Sequence, residues 1–304
     1  MSEDLIQGIP ALGAQERVEA PSEGVLCVRA PAKINLDLLV GPRRQDGYHS
    51  LDSYVCKLTL YDRIGLRRRG DGQIRFSHSG IECGPAESNL ALRAARLLAE
   101  ARDVPGVDLT LHKTIAPGAG LGGGSSDAAA VLWGLDRLWG LGLAADQLAD
   151  LAARLGSDVP LFLGPACSRM TGRGETLAPV DAAAFYAVLI LPPVTCSTQA
   201  VYRQFDLLAR EPATQLPPQL LPQPPSAWRA ELVNQLGQAA RAIYPDLARL
   251  WDQLREVLPL PVHLTGSGSG LFVLCDHRDE AADVARLIPP PVRSWCVGAE
   301  RNPW

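Results

Sequence analysis

The sequence predicts an α+β protein of two lobes. Segments of strand periodicity occupy residues 25–77. Helical periodicity follows over 90–155, interrupted by one short strand and a glycine-rich loop, and strands alternate with helices again from 184 to 298. At 304 residues, with 47% hydrophobic and 20% charged side chains, the chain can build one large or two modest cores.

Residues 1–23 read as a polar tail containing Pro and Gly. Strands are expected at 25–29, 34–40, 53–60, 62–69 and 73–77, where β-branched and aromatic residues alternate with polar ones. The Ala/Leu/Arg-rich run 90–101 has helical spacing, with Ser88 as a plausible N-cap. Strand 107–112 leads into the loop, and Ala128, Val131, Leu132, Leu135, Leu138 and Trp139 then form one apolar helix face. A second helix covers 145–155 and stops at Gly156. A buried strand at 184–191 ends at Pro192-Pro193, and the proline- and glutamine-rich stretch 211–226 reads as a surface loop. Helices are expected at 228–240, 242–257 and 279–287, and strands at 262–264, 271–275 and 292–298. The division into lobes falls near 175–185, giving a tail at 1–23, a first lobe at 24–180 and a second at 181–304.

Composition narrows the function. A net charge of −4 makes nucleic acid a poor partner. Met1–Gly8 has no basic or apolar signal region, and no apolar run is long enough to span a bilayer, so a cytoplasmic location is expected. The seven scattered cysteines lack a C-x-x-C pair, which favours reduced, buried thiols over a disulfide framework or zinc site.

The loop Gly118-Ala119-Gly120-Leu121-Gly122-Gly123-Gly124-Ser125-Ser126 carries the chemistry. It formally satisfies G-x-G-x-x-G, but a second helix follows where a dinucleotide fold needs a strand ending in an acid. No Gly-Lys-Ser/Thr closes a Walker motif. Glycines let backbone N–H groups converge on an anion, and a helix N-terminus favours negative charge. A flexible linker capped by serine is the bland alternative, but a linker has no reason to join a strand to so periodic a helix.

Three segments together resemble the GHMP kinases: Ala30-Pro-Ala-Lys-Ile-Asn-Leu36, the glycine loop with Ser-Ser-Asp-Ala-Ala, and Leu264-Thr-Gly-Ser-Gly-Ser-Gly270. Arg44-Gln-Asp-Gly-Tyr-His49 and Leu155-Gly-Ser-Asp-Val-Pro-Leu-Phe162 narrow the resemblance to the branch acting in the non-mevalonate isoprenoid pathway. The resemblance implies mixed or antiparallel sheets and an active site in the cleft between lobes. It implies transfer of the ATP γ-phosphoryl group, with Mg²⁺, to the 2-hydroxyl of a small-molecule substrate, a cytidyl-linked methylerythritol. By position, Asp158 is the general base and Lys33 its cationic partner. Pro117 and the loop 118–126 hold the phosphates, Ser125 is the choice of metal ligand, and Asn89 and Lys113 fall at adenosine-contacting positions. Asn35, Tyr48, His49, Thr198, Tyr202, Gly266, Ser267 and Gly268 fall at substrate positions, with Tyr48 and Tyr202 stacking on cytosine and His49 reading its edge. Without the resemblance, Asp158 could cap the turn before Pro160, Lys33 could be a solvated strand residue, and Asp46-Gly-Tyr-His could be an ordinary hairpin tip. One departure stands out: Ala116 separates Ile115 from Pro117, where the family more usually has proline directly after the isoleucine. A homoserine- or mevalonate-type kinase, a non-catalytic ATP-binding regulator and a NAD-dependent enzyme are the competing readings. Monomer and homodimer remain equally open.

Overall fold

The computed structural model describes residues 24–101, 104–208 and 213–301. The tail 1–23 and part of the proline-rich stretch, residues 211 and 212, lie outside the described residues.

The first sheet is organised by one strand. It contains β1 (Val25–Asn35), β2 (Leu39–Arg43), β3 (His49–Arg68), β4 (Ile74–Gly80), β5 (Val107–Lys113), β6 (Cys167–Gly172) and β7 (Thr176–Pro179). β3 runs antiparallel to β1, β2, β5 and β6, while β4 joins β5 in parallel. The expected strands 53–60 and 62–69 are therefore a single strand of 20 residues. Asp62 does not make a turn. Its buried carboxylate accepts the N–H groups of Thr114 and Ile115, at 2.6 and 2.8 Å, so this polar residue is a cross-strand anchor. β1 likewise continues past Pro31, where a register irregularity absorbs the missing N–H.

Four helices cover this sheet: α1 (Leu90–Ala101), α2 (Gly123–Trp139), α3 (Ala145–Leu155) and α4 (Val159–Leu163). Ala128–Leu132 and Leu135 of α2 pack with Ala94 and Leu98 of α1 and with Leu66, Leu109 and Leu111 of the sheet. Small alanines on α2 allow that close layer.

The second sheet, in the order β11-β8-β10-β9, is antiparallel and consists of β8 (Tyr186–Leu191), β9 (His263–Leu264), β10 (Leu271–Cys275) and β11 (Arg293–Gly298). Around it lie α5 (Thr198–Leu207), α6 (Gly237–Ile243), α7 (Pro245–Val257) and α8 (Arg278–Arg286). The helix expected over 228–240 begins only at Gly237. Before it, Asn234 turns its side-chain amide onto the carbonyls of Leu264 and Gly266, at 2.8 and 2.9 Å, and Val233 and Gln235 bond the backbone of Leu38. Those contacts replace helical ones.

Two further expectations change. The stretch 213–226 is not a bare surface loop: Leu216, Leu221 and Pro225 are buried, and Gln215 donates to Asp52 at 2.7 Å. Leu216 and Leu221 join Trp228 in a core that also takes Ile34 and Leu58 from the first sheet, Leu36 just after β1, and Leu189, Phe272 and Leu274 from the second sheet. The two sheets thus share a seam. Cys56 and Cys167, expected as reduced thiols, are cross-strand partners in the β3–β6 register and form a disulfide.

Candidate active site

The glycine loop joins β5 to α2. Gly118, Gly120 and Gly122 have φ of 71°, 74° and 71°, the left-handed region that glycine enters without strain. All three also lack room for a side chain, a Cβ at Gly118 lying 2.9 Å from Thr195 Cγ2. A Cβ at Gly120 would lie 2.6 Å from the carbonyl oxygen of Thr265, and one at Gly122 would lie 2.7 Å from the Phe162 ring. The loop is therefore wedged between the second glycine segment and α4. α2 starts at Gly123, so Ser125 and Ser126 lie in its first turn rather than opening it. Ser126 is fully buried and its hydroxyl has no partner, whereas Ser125 is half-buried.

Strand β1 stitches both glycine segments to the catalytic candidates. Lys33 N–H donates to Leu121 C=O at 3.0 Å, and Asn35 N–H donates to the Thr265 hydroxyl at 3.0 Å. Gly270 N–H in turn donates to Ala119 C=O at 3.1 Å. The two glycine segments thus meet in a direct backbone contact. Lys33 is buried, and its Nζ donates to Asn35 Oδ1 at 2.7 Å, while Asn35 Nδ2 donates to Ser53 at 2.8 Å. Asn35 consequently orients Lys33 as well as lining the cavity. Burial lowers the Lys33 pKa, and the charge of Asp158 opposes that shift.

Asp158 stands at the N-cap of α4, but its side chain makes no capping hydrogen bond. Its carboxylate lines the cavity with Lys33 and has Ser157 Oγ at 3.5 Å. The other end of this short helix is pinned by Lys57, whose buried ammonium donates to the carbonyls of Phe162 and Gly164 at 2.8 and 2.6 Å. Burial brings the Lys57 pKa down to about 8, partly offset by Glu300.

The cavity, about 690 Å³, brings together Lys33, Asn35, Tyr48, His49, Gly120, Gly122, Asp158, Thr198, Tyr202, Gly266 and Ser267. Thr198 and Ser267 hydroxyls are 2.8 Å apart. His49 and Tyr202 stack with ring centroids 5.4 Å apart, and His49 Nε2 lies 2.8 Å from Asp206 of α5. Of the two nitrogens of His49, expected to read the base's edge, Nε2 already has a carboxylate partner. Pro117, Gly118, Ala119, Leu121, Gly123, Gly124, Ser125, Ser126 and Gly268 flank this cavity's residues in the chain without lining it.

Lys113 and Asn89 are also outside it. Lys113 Nζ bonds Asp62 and, at 2.7 Å, Asp127 beneath the loop, where a Cβ on Gly123 would lie 2.9 Å from it. Burial raises the Asp127 pKa well above the carboxylate range, and the Lys113 charge opposes the rise. Asn89 caps α1 by accepting the Ala91 N–H at 2.9 Å, the helix-start role that its position before Leu90 allows. Arg43, Arg173, Arg203 and Asp206 line the cavity and were not foreseen, because no local pattern marks them and α5 itself was missed. Serine or threonine before Gln-Ala-Val could have signalled that helix: Ser197 caps it by accepting the Ala200 N–H at 3.3 Å.

The descriptions "GHMP kinases N terminal domain" and "GHMP kinases C terminal" match residues 89–164 and 226–288. A 4-diphosphocytidyl-2-C-methyl-D-erythritol kinase of Neisseria gonorrhoeae is 37% identical over 268 residues, which is 88% of this chain and 92% of the relative. One from Mycolicibacterium smegmatis is 38% identical over 292 residues, 92% of this chain and 91% of the relative. The chain belongs to the 4-diphosphocytidyl-2-C-methyl-D-erythritol kinase family of GHMP kinases. A crystal structure of a 4-(cytidine 5'-diphospho)-2C-methyl-D-erythritol kinase covers 90% of this chain and 100% of its own, with 34% identity and a TM-score of 0.77. Homoserine kinase from Cytophaga hutchinsonii, at 16% identity and a TM-score of 0.65 over 92% of this chain and 96% of its own, shares the fold. Membership in the kinase family makes this chain a small-molecule phosphotransferase that uses ATP.

Proposed function

We propose that the chain transfers the γ-phosphoryl group of ATP to the 2-hydroxyl of 4-diphosphocytidyl-2-C-methyl-D-erythritol. One observation carries the reading: a single cavity joins Lys33, Asp158 and both glycine segments to the ring cluster Tyr48, His49 and Tyr202. Phosphoryl transfer needs positioning, stabilisation of spread negative charge, and an acceptor for the hydroxyl proton. In this reading the substrate hydroxyl oxygen bonds to the γ-phosphorus as the bond to the ADP oxygen breaks. Asp158 takes the hydroxyl proton, and Lys33, oriented by Asn35, faces Asp158 and the transferring phosphoryl group. Backbone N–H groups of 118–124 and the start of α2 hold the ATP phosphates, and Gly266, Ser267 and Thr198 serve the diphosphate side. Tyr48 and Tyr202 stack on cytosine.

Mg²⁺ is part of the proposal and supplies charge neutralisation on the phosphates. Among the described residues no group of three or more His, Cys, Asp or Glu side chains is arranged to hold a metal. The cation is therefore assigned to the nucleotide, with the half-buried Ser125 hydroxyl as the protein ligand. A lobe boundary between 180 and 181 fits the 179–186 connection of the two sheets. No helix of the described residues is long and apolar enough to cross a membrane. The reading includes a cytoplasmic enzyme, monomeric or homodimeric, without a nucleic-acid partner.

The test is ADP release measured with ATP, Mg²⁺ and the cytidyl-linked substrate, omitting each in turn. ADP is expected only when all three are present. ADP formed at an equal rate without the cytidyl-linked substrate would overturn the reading.

A further inference from the structure

Arg173 lies outside every motif carried by the family resemblance, yet it lines the cavity and touches a residue proposed to bind the substrate base. It sits in the turn Gly172-Arg173-Gly174-Glu175 between β6 and β7, where Gly172 and Gly174 have φ of 74° and 111°. Strand β3 explains its position. Leu51 pairs with Val40 of β2 on one side and with Gly172 of β6 on the other. The 172–175 turn and the tip after β2 consequently leave the sheet side by side, at one end of the cavity.

There the Arg173 guanidinium carbon stands 3.9 Å from the centroid of the Tyr48 ring, and Nη1 is 3.8 Å from Asp46. Tyr48 needs such support. Its residue surface is 56% exposed. The hydrogen bonds at this tip, Tyr48 N–H to Asp46 at 3.1 Å and Arg44 N–H to Tyr48 C=O at 2.7 Å, fix the main chain and leave the ring unheld. A guanidinium laid on one face of a phenol both orders the ring and leaves the opposite face for another flat group.

We propose that Arg173 is a positioning residue that sets acceptor specificity by holding Tyr48 with one face open to the base of the substrate. The inference rests on the cytidyl acceptor proposed above. Its role is separate from phosphoryl transfer, since Arg173 reaches neither Lys33 nor Asp158 through any hydrogen bond or ion pair of the described residues.

Steady-state kinetics of the full chain tests it, with ATP and the cytidyl-linked methylerythritol as substrates. Arg173→Ala is expected to raise KM for the acceptor roughly three- to ten-fold, while kcat and KM for ATP stay within about two-fold. Arg173→Lys keeps the charge but not the planar stack, and is expected to recover less than half of that loss. Adding Arg173→Ala to Tyr48→Ala should cost nothing more, because the ring that Arg173 holds is gone. An unchanged or lower acceptor KM in Arg173→Ala, full rescue by lysine, or additive effects in the double variant would each overturn the proposal. If the wild-type chain does not turn over the cytidyl acceptor, the functional reading fails. If it does and Arg173→Ala matches it, only this inference fails.

Discussion

At the scale of single residues, side chains with two possible readings are decided by their contacts. Asp158 had a capping explanation, and the absence of a cap hydrogen bond leaves its carboxylate facing the cavity with Lys33. Replacing it by asparagine keeps the shape and removes the proposed proton acceptor. The expected result is a kcat lower by about 10²–10⁴-fold with ATP affinity nearly unchanged, measured by turnover and by nucleotide titration. Lys113 goes the other way: legible as a nucleotide contact by position, it is a buried cation between Asp62 and Asp127. Removing it as Lys113→Met leaves the buried Asp62–Asp127 pair without its cation, and chemical denaturation should show a loss of about 3–5 kcal/mol. His263 supplies a pH test. Burial pushes its pKa down to about 4 from an ordinary 6.5, and its Nε2 has no partner. Between those values the unfolded chain binds the extra proton, so stability falls as pH falls from 6.5 to 4, by on the order of 3 kcal/mol from this group. Asp37 acts oppositely. Burial raises its carboxyl to about 6, so its contribution is present at low pH and is lost as pH rises through that value. Comparing unfolding free energies of wild type and His263→Gln across pH 4–6.5 isolates the histidine: the variant should show the shallower acid loss.

At the scale of elements, periodicity was most informative where one face meets one core. The apolar face of α2 and the α3 stop at Gly156 were legible in the sequence, because alanines and leucines at helical spacing have only one place to pack. Three features were not. β3 was divided at Asp62, since a buried carboxylate that anchors a neighbouring strand resembles a turn residue when its partners are unknown. α5 buries only Val201 and Phe205, too few apolar positions to announce a helix. Residues 228–236 have helical composition, but Asn234 and the Leu38 contacts hold them in another shape. The glycine loop gives the element-scale prediction. Gly120→Ala meets the Thr265 carbonyl at 2.6 Å in addition to its unfavourable φ, whereas Gly142→Ala has the same kind of φ and nothing within 4 Å. Thermal unfolding should therefore show a loss near 1 kcal/mol for Gly142→Ala and a larger one for Gly120→Ala. Only the latter should raise KM for ATP.

At the scale of the molecule, the cavity exists because distant segments share β1 and β3. Lys33 and Asn35 bond the glycine loop and Thr265, 230 residues away for Asn35, while β3 carries the tips that present Tyr48 and Arg173. The glycine loop, Lys33 and Asp158 were readable because each sits in a short contiguous motif. Arg43, Arg173, Arg203 and Asp206 were not readable, because their place depends on strand register and on a helix with a weak pattern. The shared seam of Ile34, Leu58, Phe272 and Trp228 joins the two sheets into one body around that cavity. Phosphorylation of a cytidine-bearing alcohol by this body is measured against its alternatives by kcat/KM for the cytidyl-linked methylerythritol, homoserine and mevalonate under identical ATP and Mg²⁺. The cytidyl-linked substrate should be preferred by about 10³-fold or more, as stacking and diphosphate contacts would give. An equal or higher value for homoserine or mevalonate would contradict it.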